Sequence, residues 1–252
     1  MISVIIIAKN EENNIAQCLK SVSFADEKIV IDSGSSDNTA NIAGHFGAKV
    51  FVHDFKDFSN QRNFALSKSS GDWILYIDAD ERVTDNLRDE MMKIISSAQS
   101  DSAYNIPRQN IRLGGHIMHF GGWWPDYVTR LFKRSELKNW YGEVHESPNI
   151  NGSVGRLANP LLHYGRDLNR IVEKTIEWSA VEARLLYKAN HPPVAWWRLL
   201  KISLDEFFRR YIILQGFRDG TPGLIEAIYQ SFSRFITYAR LWELQQNNEI
   251  KT

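Results

Sequence analysis

The sequence predicts an α/β protein built on a mainly parallel sheet, and three features predict it. Short apolar runs at residues 3–8, 28–32, 49–53 and 73–77 alternate with stretches of helical periodicity, which is the pattern of βαβ units. The run Trp73–Ile77 is short, β-branched and aromatic, and Gly71 and a charge cluster bound it, as expected for a strand buried on both faces. Three of the runs end at polar groups: Asn10-Glu11 after the first, Asp32-Ser33 after the second, and Asp78-Ala79-Asp80 after the fourth. The ligand crevice of a parallel sheet lies beyond the carboxyl ends of its strands, so these clusters, distant in sequence, are expected at one mouth.

The elements follow in order. After the first strand a polar break, Asn10–Asn14, leads into an amphipathic helix with Ile15, Leu19 and Val22 on one face. The second strand closes in Ser33-Gly34-Ser35-Ser36, where Gly and Ser give a tight turn and Ser36 or Asp37 can cap a helix running to about Phe46. A third strand, a helix over 59–69 and the strand Trp73–Ile77 follow, and then a helix over 84–97 with Leu87, Met91, Ile94 and Ile95 as its core face. Residues 103–165 have a different texture. Paired glycines, Trp123, Trp124, Trp140 and Tyr141, and short alternating runs such as Val128–Phe132 read as irregular β structure with loops over the crevice. An all-helical region begins near Asp167, with helices at about 168–188 and 195–215, a Gly216–Gly223 turn, and a last helix to about Gln246.

A chain of 252 residues with 43% apolar content suffices for one large α/β domain, or for an ordinary domain with an appendage. The expected division is 1–165 and 166–252. A formal net charge of zero gives no global pull toward nucleic acid. The single cysteine, Cys18, excludes an internal disulfide and suits a reducing compartment. The N-terminus has no basic n-region, and no apolar run is long enough to span a bilayer, so the expected location is cytoplasmic, soluble or peripheral on a membrane face.

Two carboxylates one residue apart just past a strand, Asp78 and Asp80, can hold a hard divalent cation. Mg²⁺ and Mn²⁺ want oxygen ligands and combine one or two protein carboxylates with substrate phosphates, which is a way to hold a nucleotide diphosphate. The same tripeptide also suits a solvated turn or helix start. Its neighbours decide between the two.

Those neighbours resemble a known family. Val4–Glu11, Ile29–Thr39, Gln61-Arg62-Asn63-Phe64-Ala65 and Leu75–Asp80 look like the successive blocks of the family 2 glycosyltransferases, which have the GT-A fold and use nucleotide sugars with inversion at the anomeric carbon. Arg130–Arg134, Gly142-Glu143-Val144-His145-Glu146 and His163-Tyr164 further resemble the lipopolysaccharide-core glucosyltransferase branch. The resemblance implies that 1–165 is a GT-A catalytic domain and that a C-terminal helical region follows. It implies that Ala8, Asn10, Glu11, Asp32, Arg62, Asp78 and Ala79 line the nucleotide-sugar pocket, and that Asp80 binds Mn²⁺ or Mg²⁺ on the diphosphate with His163 completing the metal site. It also places Glu146 in the slot of the catalytic base. Ser33 stands where many members carry a second aspartate, and Glu146 replaces the usual aspartate. The implied donor is UDP-glucose or a close relative, and the implied acceptor is a lipopolysaccharide-core sugar or another cell-surface glycan.

Residue by residue, alternatives stay open. Glu143 is the second choice for the base and Asp126 the third, and Glu146 can instead be a structural acid pairing Arg130 or Lys133. His163 suits either a metal site or a hydrogen-bonded core, and Arg62 suits either a phosphate or a carboxylate. Trp123 and Trp124 can stack on sugars or fill a core. In the tail, seven basic residues lie between Arg184 and Arg218 against Asp205 and Glu206 alone, interleaved with Trp196, Trp197, Phe207, Phe208, Tyr211 and Ile212. That composition suits an anionic membrane surface, or a helix packed on the protein with Asp205–Arg209 and Glu206–Arg210 pairs. Two rivals are a nucleotidyltransferase, for which the acidic Asn10-Glu11-Glu12 is the wrong charge after the first strand, and a non-catalytic nucleotide-sugar-binding protein. No Rossmann G-x-G-x-x-G or Walker sequence is present.

Overall fold

Strand β1 (Ile2–Ala8) runs between β2 (Glu27–Asp32) and β4 (Trp73–Asp78), parallel to both. Ile2, Val4, Ile5 and Ile6 are buried completely or nearly so, and full burial of each such side chain contributes roughly 1.5–3 kcal/mol. The structure is a computed structural model that describes residues 1–142, 146–165 and 168–249. Its contacts divide the chain into two units, Met1–Gln109 with Asp126–His163, and Asn110–Pro125 with Tyr164–Thr252.

In the first unit β3 (Lys49–Val52) joins β2 in parallel, completing the order β3-β2-β1-β4. The order continues through β8 (Asp126–Lys133), β6 (Ala103–Arg112), β12 (Leu161–Tyr164) and β5 (Glu81–Val83), with β11 (Val154–Arg156) beside β6. β8 is antiparallel to β4, and β6 is antiparallel to β8 with a register shift at Tyr104/Asn105. Residues 103–165, read from sequence as irregular β structure, thus supply long strands of the main sheet. Strands β9 (Leu137–Tyr141) and β10 (Ser147–Ile150) form a separate antiparallel pair.

The pleat sends alternate residues of β4 to opposite layers. Trp73, Leu75 and Ile77 pack with α1 (Ile15–Ser21), α2 (Thr39–His45) and α4 (Asp85–Ile95), through Leu19, Ala43, Leu87 and Met91. Ile74 and Tyr76 pack on the other face with Ala65 of α3 (Phe58–Lys68), Phe132, Leu137 and Trp140. Two helices start on side-chain caps, Asn60 N–H donating to Asp57 at 2.7 Å and Leu87 N–H to Thr84 at 3.2 Å. Asp37 takes the Thr39 N–H at 3.0 Å, although Asn38 is the residue at the cap position of α2.

The second unit contains the end of β6, Asn110–Arg112, which pairs with β7 (His116–Ile117). It also holds α5 (Leu168–Lys188), α6 (Trp196–Phe208) and α7 (Gly220–Glu249). α6 ends earlier than its periodicity suggests. The chain passes through a π-helical segment, Arg209–Ile213, and a 3-10 turn, Gly216–Asp219, before α7 begins. Within this unit Asp219 accepts the backbone N–H groups of His119 and Phe120, and Arg112 donates to buried Glu226 at 2.6 Å. These bonds attach residues 110–125 to the helices, a grouping the sequence does not announce. No helix among the described residues is long and apolar enough to cross a membrane.

Candidate active site

The β1 register sets the frame of the site. Ala8 lies opposite Asp32 on one side and Ile7 opposite Asp78 on the other, so the two acids flank the carboxyl end of one strand, with backbones roughly 10 Å apart at two strand spacings. Ala8 and Ala79 are buried beneath this mouth.

Asp32 and Asn10 are engaged in the loops that follow their strands. Asp32 accepts Ser35 N–H at 3.2 Å and the Ser35 hydroxyl at 2.5 Å. Asn10 adopts a positive φ of 54°, which Asn tolerates better than most residues, and its Oδ1 accepts Ser36 N–H at 2.8 Å. Glu11 is buried and accepts Asn14 Nδ2 at 2.8 Å, while its own N–H donates to Thr39 Oγ1 at 2.8 Å. The first two strand-end loops are therefore bonded to each other before any ligand arrives.

On the other side of β1 the site is a chain of alternating charges. Arg62 projects from α3, buried, with its guanidinium 4.7 Å from the centre of the Trp140 ring and 5.4 Å from that of Tyr76. Tyr76 Oη donates to the Arg62 carbonyl at 3.1 Å, and Asn63 bonds both Trp140 N–H and Trp140 C=O at 2.8 Å. So fixed, Arg62 donates Nε and Nη2 to Glu146 Oε1 at 3.2 and 3.1 Å, and Nη2 stands 3.8 Å from Asp78 Oδ1. Arg130, also buried, donates Nη2 to Asp78 Oδ2 at 2.5 Å and to Glu81 Oε1 at 3.0 Å. Arg108 lies 3.5 Å from the same Glu81 oxygen and pairs with Asp126 at 2.7 Å.

This array sets two ionisations apart. Burial drives the Asp78 carboxyl upward, but Arg130 and then Arg62 outweigh it and hold the group well below the usual carboxylate range. The Asp78 side chain is 37% exposed, so water screens part of that attraction. Glu81 is fully buried, and burial, with the charge of Asp78 added, raises it despite Arg130 and Arg108.

Asp80 lies beyond the array, its Oδ2 3.7 Å from His163 Nε2. β12 places His163 there by pairing it with Glu81. Among the described residues no three His, Cys, Asp or Glu side chains form a ready-made metal cluster.

Of the residues singled out from sequence, the structure brings Arg62, Asp78 and Glu146 into one network and Asp80 next to His163. Arg62 pairs with carboxylates, and Glu146 bonds Arg62 and neither Arg130 nor Lys133. Asp126 is held by Arg108. Glu143 and His145 lie outside the described residues. Trp140 is core, and Trp123 has the Arg112 guanidinium 4.4 Å from its ring centre. The residues that sequence reasoning left without roles are Glu81 and Arg108. Sequence sets neither charge apart, since Glu81 opens the short strand Glu-Arg-Val next to the acidic cluster and Arg108 lies among Asn105, Gln109 and Asn110; only their burial demands that they be paired. An apolar groove of about 460 Å³ in the helical unit, lined by Val172, Ile176, Phe232, Ile236 and Trp242 among others, includes none of the strand-end acids.

The sequence profile described as glycosyl transferase family 2 matches residues 3–146, which span β1 to Glu146. The chain belongs to glycosyl transferase family 2. A Rickettsia felis protein described as an uncharacterized glycosyltransferase is 33% identical over 261 residues, covering 96% of this chain and 89% of the relative. The Rhizobium meliloti lipopolysaccharide core biosynthesis glycosyltransferase LpsC is 25% identical, covering 96% of this chain and 92% of its own. Among solved structures, S. aureus TarS 1–349 in complex with UDP-GlcNAc superposes with a TM-score of 0.51 at 16% identity, covering 98% of this chain and 92% of TarS. The fold of this family 2 member is accordingly GT-A-like, with a C-terminal helical region.

Proposed function

We propose that this family 2 glycosyltransferase is a metal-dependent inverting enzyme that moves a hexose, glucose from UDP-glucose in the first instance, onto a lipopolysaccharide-core sugar. The observation that carries the reading is the continuous line from Glu146 through Arg62 to Asp78, two residues before Asp80 and its neighbour His163. A base, a donor-side acid and a pair of metal-ligating atoms then serve one crevice. The LpsC relative supports the acceptor class.

In this reading Asn10, Glu11 and Asp32 line the uridine side, and Ala8 and Ala79 floor the pocket. A carboxylate oxygen and an imidazole nitrogen suit Mn²⁺ or Mg²⁺, the imidazole favouring Mn²⁺, and two protein ligands leave positions for diphosphate oxygens and water. Such an ion, when bound, neutralises charge on the departing diphosphate, worth several kcal/mol at the transition state. Glu146 takes the proton from the acceptor hydroxyl as its oxygen bonds to the anomeric carbon and the carbon–oxygen bond to the diphosphate breaks on the opposite face. Both bonds from Arg62 go to Oε1, which leaves Oε2 for that proton. The reaction is a single displacement with inversion.

The test is a panel of UDP-sugars scored for Mn²⁺-dependent thermal stabilisation and for transfer to delipidated lipopolysaccharide core, with the anomeric configuration of the product read by NMR. Glu146→Gln should retain donor binding and lose about 10²–10⁴-fold in transfer rate. Wild-type turnover in that variant would move the base elsewhere, and a product of retained configuration would overturn the mechanism.

A further inference from the structure

Helix α6 packs through one side and leaves an apolar stripe exposed on another. Leu199 packs against the cluster of Ala183, Val194 and Leu241, Ser203 C=O accepts the Ser231 hydroxyl of α7 at 2.7 Å, and Glu206 is buried against Arg209 and Arg210. At 3.6 residues per turn, Leu200, Leu204, Trp197 and Phe208 form one stripe turned away from these, and Trp196 stands at the first position of the helix. All five are exposed, Trp196 at 75%. The segments that follow add exposed Ile212, Ile213 at 72%, and Phe217. A helix on the surface of a water-soluble protein keeps its outer face polar, and a contiguous exposed apolar patch rimmed by polar groups marks a binding surface.

Charge identifies the partner. The whole chain is neutral, yet between Arg184 and Arg218 seven basic residues face only Asp205 and Glu206. Glu206 is spent on Arg209 and Arg210, and Lys201 is bridged by Asp205. Arg198 sits over the Trp197 ring, 5.4 Å from its centre, so a cation adjoins the exposed aromatic pair. Tryptophan beside arginine is the pairing that lodges at a headgroup layer, where one end of the ring is dry and the other wet.

We propose that α6 docks flat on an anionic phospholipid bilayer, with Trp197, Leu200, Leu204 and Phe208 at the acyl boundary, Trp196 inserted at the helix end, and Arg198 among the phosphates. The contact goes beyond the glycosyl-transfer reading and requires no particular donor or acceptor. A peripheral helix of this kind combines buried apolar area with attraction to anionic lipid.

The test uses the full chain and vesicles, with donor hydrolysis and far-ultraviolet circular dichroism measured alongside. The protein should sediment with phosphatidylglycerol-rich vesicles, stay largely in solution with pure phosphatidylcholine, and be released by salt. Leu204→Asp, and separately Trp196→Ala with Trp197→Ala, should abolish sedimentation while leaving the dichroism spectrum and hydrolysis unchanged. Arg198→Glu should lower the partition coefficient by about fivefold or more. Failure of the folded wild-type protein to sediment would overturn the proposal, as would equal binding to both vesicle types or wild-type binding by the Leu204→Asp variant. A dimer in sedimentation equilibrium that Leu204→Asp splits, with no vesicle binding, would assign the face to a second copy of the chain instead. Loss of hydrolysis in the wild-type protein would count against the enzymatic reading and leave this one standing.

Discussion

Arg62 gives two nitrogens to one oxygen of Glu146, at 3.2 and 3.1 Å, while the same guanidinium stands 3.8 Å from Asp78. One planar cation thus connects the acid beside β10 to the acid that ends β4. Lysine would keep the charge and lose the fork. Arg62→Lys is expected to lower kcat roughly 100-fold, the scale of a misplaced catalytic group, with little change in the affinity for UDP. Separate determination of kcat and KM checks this. A raised KM at unchanged kcat would place Arg62 on the donor phosphates.

If Asp80 and His163 hold the cation, their losses should differ in kind. Asp80→Asn should remove Mn²⁺-dependent UDP binding in calorimetry. His163→Ala should weaken it and narrow the difference between Mn²⁺ and Mg²⁺, because the imidazole is the ligand that prefers manganese. Chelation should abolish transfer, and added Mn²⁺ should restore it. An unchanged Mn²⁺ preference in His163→Ala would leave that histidine a packed neighbour.

Arg130 is buried between Asp78 and Glu81. Removing it leaves two carboxylates facing each other, one of them fully buried. Breaking a buried pair in this way costs about 3–5 kcal/mol, so Arg130→Ala should show that loss in urea unfolding. The addition of Glu81→Gln should recover part of it, since a neutral amide needs no counter-charge. Simple additivity of the two changes would mean that the pair is not coupled.

Acid sensitivity should trace in part to Glu27. Burial pushes its carboxyl up, but Lys49, then Ser3 and Ser70, outweigh that and bring it from the ordinary 4.5 down to about 2. A carboxyl lowered by folding contributes stability that is fully present above its unfolded pKa and is lost as pH falls through its folded value. Unfolding free energy should therefore drop between about pH 4.5 and pH 2, by on the order of 2 kcal/mol from this group. Glu27→Gln should be less stable at neutral pH and show a flatter acid limb in a series of denaturant titrations.

The elements built from local pattern were legible in the sequence. The four parallel strands, the acids at their ends and the full span of α5 follow from hydrophobic period and from the residues that stop each run. The roles of β6 and β8 in the main sheet were not. Pro107, Arg108 and Asn105 interrupt the apolar alternation of β6, the register shifts at Tyr104/Asn105, and β7 and a glycine-rich loop intervene before the partner strand β8. Glu81 was hidden for the same reason, since Arg108 and Arg130 reach it from strands that sequence neighbourhood does not connect. In the tail the expected Asp205–Arg209 pair is replaced. Arg209 joins Arg210 on Glu206, and Asp205 takes Lys201, because Glu206 is the acid on the packed side and draws both guanidiniums. Arg62 was visible as a residue, but its bond to Glu146 depends on how Asn63 anchors Trp140, which no spacing rule encodes.

The two-layer alternation of β4 makes that strand intolerant of frame changes. Because Tyr76 faces the layer that contains Arg62 and Ile77 faces the other, a single-residue insertion or deletion within 73–77 would still read as an apolar segment and still enter the sheet. It would also rotate every later side chain by half a turn, presenting Ala79 to the guanidinium and sending Asp78 into a layer of aliphatic groups. Homologues of altered length are thus expected to vary in the loops around this strand and to preserve the parity of the strand itself.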